Sequence, residues 1–163
     1  MNIKTENSVL KRLFEKETIK IKATEGKTTI AEAENIFEGW IDPGFKIWNL
    51  DNPQIATNEI VVEVYEVVKN ADFRTMFDSL NEDPNKLCLT QSQIVDFCKN
   101  HKDRLHSNWF TFFLFKENNQ YFVACVGVFS DGLYVRVFRF ELASVWFAEF
   151  AHRFVVPQLN LEA

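Results

Sequence analysis

The chain has 163 residues, of which 47% are hydrophobic and 25% are charged, a balance typical of a folded globular domain and not of a disordered segment. Its 18 basic and 23 acidic side chains give a net charge of minus 5, which disfavours the phosphate neutralisation on which non-specific nucleic-acid binding depends. A chain of this length is expected to form a single domain over residues 1–163 and to fold without disulfides.

The cysteine content and the N-terminal sequence predict a cytoplasmic protein. The three cysteines, at positions 88, 98 and 125, include no CxxC pair, and an odd number favours free thiols in a reducing compartment. Residues 1–17 are too polar for a signal peptide, and no apolar run approaches the ~20 residues that a membrane-spanning helix needs. We therefore expect neither secretion by that route nor a membrane-spanning segment.

The sequence of the N-terminal half predicts one strand and three helices. Apolar side chains at helical spacing indicate a short amphipathic helix over residues 8–16, and the alternation in residues 18–24 indicates a half-exposed strand. A helix is predicted over residues 57–70, and another over residues 72–80.

Residues 29–38 fit two kinds of structure. Thr29 and Glu32 have the spacing of a capping box at the start of a helix, but the same residues also alternate, so helix and strand both stay open. Residues 39–54 follow as an irregular segment rich in Gly, Pro and large aromatic residues.

The most regular helical pattern in the chain begins at Thr90. Thr90 is placed to cap the helix, and Gln93 completes a capping box. One stripe of the helix then carries Ile94, Phe97, Cys98, His101 and Leu105. Such an amphipathic helix must dock on another element of the fold.

The C-terminal half predicts a sheet with an aromatic core. Five of the eight residues 108–115 are aromatic, which suggests either a core strand or a platform for a ligand. Residues 109–115 and 121–129 are apolar on both faces, which is the pattern of buried strands. Residues 133–140 form a third strand after a tight connection, so a core made of an antiparallel meander is expected.

The segment 144–154 also fits both a helix and a strand, and we favour a strand from about residue 150 to 156 that Pro157 ends. The predicted fold is therefore α+β, with an antiparallel C-terminal β-meander packed against N-terminal and central helices that cover one face.

Four segments carry a resemblance to known sequences. These are IDPGFKIW (41–48), LCLTQSQIVDFCKNH (87–101), TFFLFK (111–116) and HRFVVPQL (152–159). In this order they resemble an uncharacterised family of proteins encoded by uncultured bacteria. The resemblance covers most of the chain and implies a bacterial origin, but that family has no known activity, so it implies no functional residue.

Two sets of residues are candidates for catalysis. Cys98 and His101 are three residues apart on one helical face and could form a nucleophile and its base, although a Cys on an apolar stripe more often packs as a small hydrophobic side chain. His152 could act with Glu149 and Arg153. Glu149 and His152 have the Glu-x-x-His spacing of di-iron helices, but no second copy occurs, so no metal is expected.

Motifs for the common cofactors and catalytic sites are missing. The sequence contains no P-loop, GxGxxG, HExxH or GxSxG pattern. No cofactor is therefore expected, and whether the protein is an enzyme stays open.

One strand offers a candidate nucleic-acid surface. Tyr134, Arg136 and Phe138 lie on one face with Arg139 nearby, and RNA-binding sheets stack bases on exposed aromatic residues flanked by basic groups. Weak binding of single-stranded nucleic acid is thus an alternative function. A helix covering this face is the expected arrangement.

The aromatic content is larger than the core is expected to absorb, with 17 Phe and 4 Trp. Large aromatic side chains are enriched at the centres of protein interfaces. The candidates for such a surface are Trp40, Phe45, Trp48, Trp146 and Phe150. The sequence therefore favours a non-catalytic module that binds a protein partner or associates with itself.

Overall fold

The computed structural model describes residues 9–159, in which one eight-stranded sheet carries short helices. The strands are β1 (Leu10–Leu13), β2 (Ile19–Ile21), β3 (Trp40–Ile41), β4 (Ile60–Val67), β5 (Phe110–Glu117), β6 (Gln120–Phe129), β7 (Gly132–Arg139) and β8 (Arg153–Pro157). The α-helices are α1 (Gly44–Ile47), α2 (Phe73–Asp78) and α3 (Gln91–Asn100), and 3₁₀ turns occupy Ile30–Glu32, Pro84–Leu87, Lys102–Arg104 and Ala148–Phe150. This combination agrees with the predicted mixture of helices and sheet.

The sheet is mixed, with the strand order β1-β4-β8-β5-β6-β7-β3, and β2 also pairs with β4. Strands β5, β6 and β7 are antiparallel neighbours, whereas β8 is parallel to β5 and β3 is parallel to β7. The antiparallel arrangement predicted for the C-terminal strands therefore holds for β5, β6 and β7 but not for β8, and the sheet that contains them is mixed. Residues 140–152 carry the chain back across the sheet so that β8 lies between β4 and β5, and parallel pairing requires such a crossing.

Both faces of the central strands are buried, because a helix packs on each. On one face Phe113 and Phe115 join the core beneath α3, and the ring of Phe97 lies 5.5 Å from that of Phe113. On the other face Phe112 and Leu114 join the core beneath α2, with the ring of Phe73 5.1 Å from that of Phe112. The aromatic run of β5 is thus core, and the prediction that helices cover only one face is corrected.

The start of α3 is fixed by the predicted capping box. The Thr90 hydroxyl accepts a hydrogen bond from the Gln93 backbone N–H at 3.2 Å, and the Gln93 side chain accepts one from the Thr90 N–H at 2.8 Å. Gln91 is completely buried and donates to the Leu50 carbonyl at 2.6 Å, while it accepts from the Ile30 N–H at 3.0 Å. These contacts tie the helix to the irregular N-terminal segments.

Two predicted helices are strands in the structure. Ile60–Val67 forms β4 where a helix over 57–70 was predicted, and Leu10–Leu13 forms β1 where a helix over 8–16 was predicted, Ser8 lying outside the described residues. The two strands pair with each other, and β8 pairs with the other edge of β4. Long-range pairing of β-branched side chains therefore prevails over the local helical spacing.

The two ambiguous segments form little regular structure. Within 29–38 only the turn Ile30–Glu32 is helical, and the Thr29 side chain makes no capping hydrogen bond, so the predicted capping box is wrong there. Within 144–154 a 3₁₀ turn is followed by β8, which begins at Arg153 and not near residue 150.

Candidate binding surface

A cross-strand row of four residues runs over the end of the sheet. Phe110, Gly127, Tyr134 and Trp40 are direct neighbours in the ladders that join β5, β6, β7 and β3. Since side chains alternate along a strand, this row shares its face with Phe112, over which α2 packs. The row lies two residues nearer the start of β5 than Phe112, so its rings approach solvent, and Trp40 is 41% exposed.

Gly127 gives two aromatic rings access to the strand. A Cβ atom at this position would lie 2.9 Å from Phe129 Cε2 and 3.1 Å from Phe110 Cε1, both closer than ordinary van der Waals contact. The rings of Phe110 and Phe129 therefore lie against the bare backbone of β6. Beside them is a cavity of about 230 Å³ lined by Trp40, Phe110, Phe129, Tyr134 and Arg136.

A second cavity, of about 160 Å³, shares Phe110 with the first. It is lined by Trp109, Phe110, Val145, Trp146, Phe147, Phe150 and His152. The rings of Trp109 and Phe150 have centroids 4.3 Å apart and form one of its walls. Phe110 lines both cavities, so they share one residue of their walls. We call the rings around the two cavities the aromatic surface, which is composed of Trp40, Trp109, Phe110, Phe129, Tyr134, Trp146, Phe147 and Phe150.

His152 is a buried polar group beneath the aromatic surface. It is only 2% exposed, and its ring centroid lies 5.3 Å from those of both Trp146 and Phe112. Its Nδ1 accepts a hydrogen bond from the Phe110 backbone N–H at 3.2 Å, which places the proton of the neutral ring on Nε2. Burial lowers the pKa of His152 to about 4, so the imidazole is neutral at pH 7 and supports the start of β5.

The first catalytic candidate is not arranged for nucleophilic chemistry. Cys98 is 1% exposed on the inner face of α3, and burial raises the pKa of its thiol well above the ordinary range. His101 instead donates from Nε2 to the Lys20 carbonyl at 2.7 Å. A nucleophilic cysteine needs a lowered pKa, so Cys98 is a core residue and His101 links the end of α3 to β2.

The second catalytic candidate is divided between the two faces of the sheet. His152 faces the core beneath α2, whereas Arg153 donates to the Arg104 carbonyl at 2.8 Å and places its guanidinium 5.3 Å from the centroid of the Phe14 ring. Glu149 lies exposed in the last 3₁₀ turn. Among residues 9–159 no hydrogen bond or ion pair joins these three side chains, and no group of three His, Cys, Asp or Glu is placed to hold a metal.

The predicted binding residues are divided in a similar way. Trp40, Trp146 and Phe150 belong to the aromatic surface. Phe45 is completely buried in the core beneath α3, so its predicted place on a binding surface is corrected. Trp48 lies on the α3 face of the sheet, where its ring packs 6.0 Å from that of Phe122. Five residues of the aromatic surface were not among the predicted protein-binding residues: Trp109, Phe110, Phe129, Tyr134 and Phe147.

The strand predicted to bind nucleic acid exposes fewer aromatic and basic side chains on one face than its sequence suggested. Phe138 packs beneath α2, with its ring 6.1 Å from that of Phe73. Arg139 lies on the opposite face, 4.6 Å from the Trp48 ring centroid. On the predicted face Arg136 is exposed, whereas Tyr134 and Phe138 are both half-buried, which leaves a small platform for stacked bases.

No protein-family model matches the chain, and neither a curated protein nor a solved structure matches it. The resemblance noted in the sequence therefore remains a prediction. Between residues 9 and 159, none of the helices has the length and apolar character needed to cross a membrane.

Proposed function

We propose that the protein is a non-catalytic protein-interaction module that binds a short apolar segment of a partner protein on its aromatic surface. The observation that carries the proposal is the set of half-exposed rings around two cavities that share Phe110. Trp40, Trp109, Phe129 and Phe147 are 41%, 42%, 49% and 50% exposed. Contiguous apolar surface of this kind on a folded domain is typical of a binding site, with Trp and Tyr enriched among the residues that dominate affinity.

The size of the aromatic surface favours a short segment over a second copy of the chain. At about 200 Å² for each aromatic side chain, the four half-exposed rings present about 350 Å² to solvent. A stable complex of two folded proteins buries about 800 Å² on each partner. A peptide segment needs a smaller surface, provided that its anchor side chains enter cavities.

The edge of the sheet near this surface offers little backbone to a further strand, because the edge strand β3 has only two residues, and this favours docking on the face. The Asp42 carboxylate accepts a hydrogen bond from the Val137 backbone N–H at 3.1 Å and one from the Gly44 N–H at 2.8 Å. The outer edge of β7 is therefore occupied at this point by β3 and α1. A partner strand that added to the sheet would have to displace them or pair with the two residues of β3.

The proposal places the module in the cytoplasm. Cys88, Cys98 and Cys125 are all free thiols, which supports a reducing compartment.

Selection of random peptides displayed on phage tests the proposed function. We expect peptides with apolar anchor residues to be enriched on the wild-type protein and to lose at least tenfold in affinity for Trp109→Ser. The matched control is Ile55→Ser, because Ile55 is 75% exposed and lines neither cavity, and this variant should bind like the wild type. Equal binding to all three proteins, or no enrichment, would refute the proposal.

Light scattering over a range of concentrations tests the choice of partner. We expect a monomer in every sample. A dimer that Trp109→Ser dissociates and Ile55→Ser leaves intact would show that a second copy occupies the aromatic surface.

A further inference from the structure

Arg136 is the charged residue in the linings of the two cavities. Its side chain is exposed on β7, two residues beyond Tyr134, and its guanidinium lies 5.6 Å from the centroid of the Phe138 ring. Among residues 9–159 the Arg136 side chain forms no hydrogen bond or ion pair. The carboxylate of Asp131, at the rim, already accepts a hydrogen bond from the Tyr134 hydroxyl at 3.0 Å. Arg136 thus offers its donors to a ligand lying in the first cavity.

Resting on the proposed function, we infer that the partner segment is acidic as well as apolar, and that Arg136 binds its carboxylate. A guanidinium next to an apolar cavity forms charge-assisted hydrogen bonds with a carboxylate and gains strength from the partial exclusion of water. A cationic segment would be repelled by the same group, and neither cavity is lined by a carboxylate that could attract it.

The spacing of the strands sets the length of the part of the segment that lies over the first cavity. From Phe110 to Trp40 the row crosses three strand intervals of about 4.8 Å each, or roughly 14 Å. An extended peptide covers that distance with about four residues, at about 3.4 Å for each residue. Arg136 lies about 7 Å to the side of the row, since it is two residues further along β7. We therefore expect two apolar anchors, one in each cavity, and an acidic side chain directed towards α2.

A double-mutant cycle on peptides from the selection tests this inference. Each selected peptide is synthesised with its Asp or Glu residues intact and with Asn or Gln in their place, and its binding is followed by tryptophan fluorescence. We expect Arg136→Gln to weaken the acidic peptide three- to tenfold, and to leave the amide peptide unchanged. Arg136→Lys should retain part of the affinity, because it keeps the charge but loses the planar pair of donors.

The matched control is Arg139→Gln, which removes an exposed arginine from the same strand on the opposite face. It should not alter the affinity of either peptide. Affinity of the acidic peptide for the wild type should also fall with added salt more steeply than that of the amide peptide.

The outcomes separate the two proposals. Apolar peptides that lack acidic residues and are insensitive to Arg136→Gln would overturn the inference about charge and leave the interaction module standing. Enrichment of basic peptides would also overturn the inference about charge without contradicting the proposed interaction module. A failure of every peptide to depend on Trp109 would overturn the proposed function itself, and the inference with it.

Discussion

Acid should destabilise the protein through a single buried imidazole beneath the aromatic surface. His152 has a pKa of about 4 in the folded protein, against about 6.5 in an unfolded chain, because burial disfavours its charged form. The unfolded chain therefore binds the proton more readily. It follows that His152 stabilises the fold fully above about pH 6.5, and that this contribution is lost as the pH falls towards 4.

The magnitude follows from the two pKa values. Linkage gives a loss of about 2 kcal/mol between pH 7 and pH 5, and of about 3 kcal/mol by pH 4. This is a large fraction of the 5 to 15 kcal/mol that stabilises a typical domain. Other groups also contribute to the pH dependence of stability, since burial lowers the pKa of His106 and raises that of Glu117. Only a comparison of variants isolates His152.

His152→Gln is the informative variant, because the Gln side chain offers an oxygen in place of Nδ1 to the Phe110 N–H but does not titrate. Urea unfolding of both proteins at pH 7, 6 and 5 gives their free energies of unfolding. We expect the difference between wild type and variant to shrink by about 2 kcal/mol over this range. If the free energies of unfolding of the two proteins changed equally with pH, the reasoning would be refuted. An NMR titration of the wild type that placed the His152 pKa above 6 would also refute it.

Four further predictions follow from the contacts described above. Gln91→Leu should lower the free energy of unfolding by about 3 kcal/mol in urea denaturation, because it leaves the Leu50 carbonyl and the Ile30 N–H buried without partners. A change below about 1 kcal/mol would contradict the importance of these two hydrogen bonds. Thr90→Ala should cost about 1 kcal/mol in the same assay, and Thr90→Ser should restore most of it. Cys98 should react with a thiol reagent at neutral pH only after unfolding, as measured by mass spectrometry. Rapid labelling of Cys98 in the folded protein would instead support a catalytic role for Cys98. Gly127→Leu should reduce peptide binding by displacing two rings from the cavity wall, and unchanged affinity by fluorescence titration would show that these rings do not contact the peptide.

The elements that the sequence predicted well are those with local signals. The capping box at Thr90 and Gln93 marks the start of α3 from side chains three residues apart, and the structure contains it. The apolar character of both faces of β5 and β6 likewise indicates burial, and the structure buries both. A strand that is apolar on both faces needs another element packed on each face. The prediction of helices on one face only was inconsistent with this pattern.

The elements that were missed depend on distant partners. Residues 60–67, IVVEVYEV, place Val61, Val64 and Tyr65 at helical spacing, yet they form the strand to which β1, β2 and β8 all pair. Five of these eight residues are β-branched, which favours a strand, and that signal should have outweighed the spacing. The position of β8 between β4 and β5 has no local signature, because it depends on how the chain returns across the sheet.

The aromatic surface was predicted only in part for the same reason. Trp40 and Phe110 are far apart in the sequence and become neighbours in one row only through the order β5-β6-β7-β3. Phe45 was as plausible a surface residue as Trp40 by composition, but Phe45 faces the core from α1. Residue type thus indicated an excess of rings, and the register of the sheet decides which of them reach solvent.

The area of the aromatic surface limits the affinity of the complex that we propose. Covering about 350 Å² on the protein and a similar area on the peptide contributes about 18 kcal/mol at most, at about 25 cal/mol for each Å². Association itself costs about 4 kcal/mol or more in lost translational and rotational freedom. The roughly 700 Å² buried in total lies below the ~1,200 Å² at which stable interfaces begin, and ordering the peptide adds to the cost of association. The Arg136 ion pair contributes only about 1 kcal/mol, so we expect a weak complex. The partner should therefore exchange rapidly, and a selected peptide that bound at nanomolar concentration would have to contact the protein well beyond the two cavities.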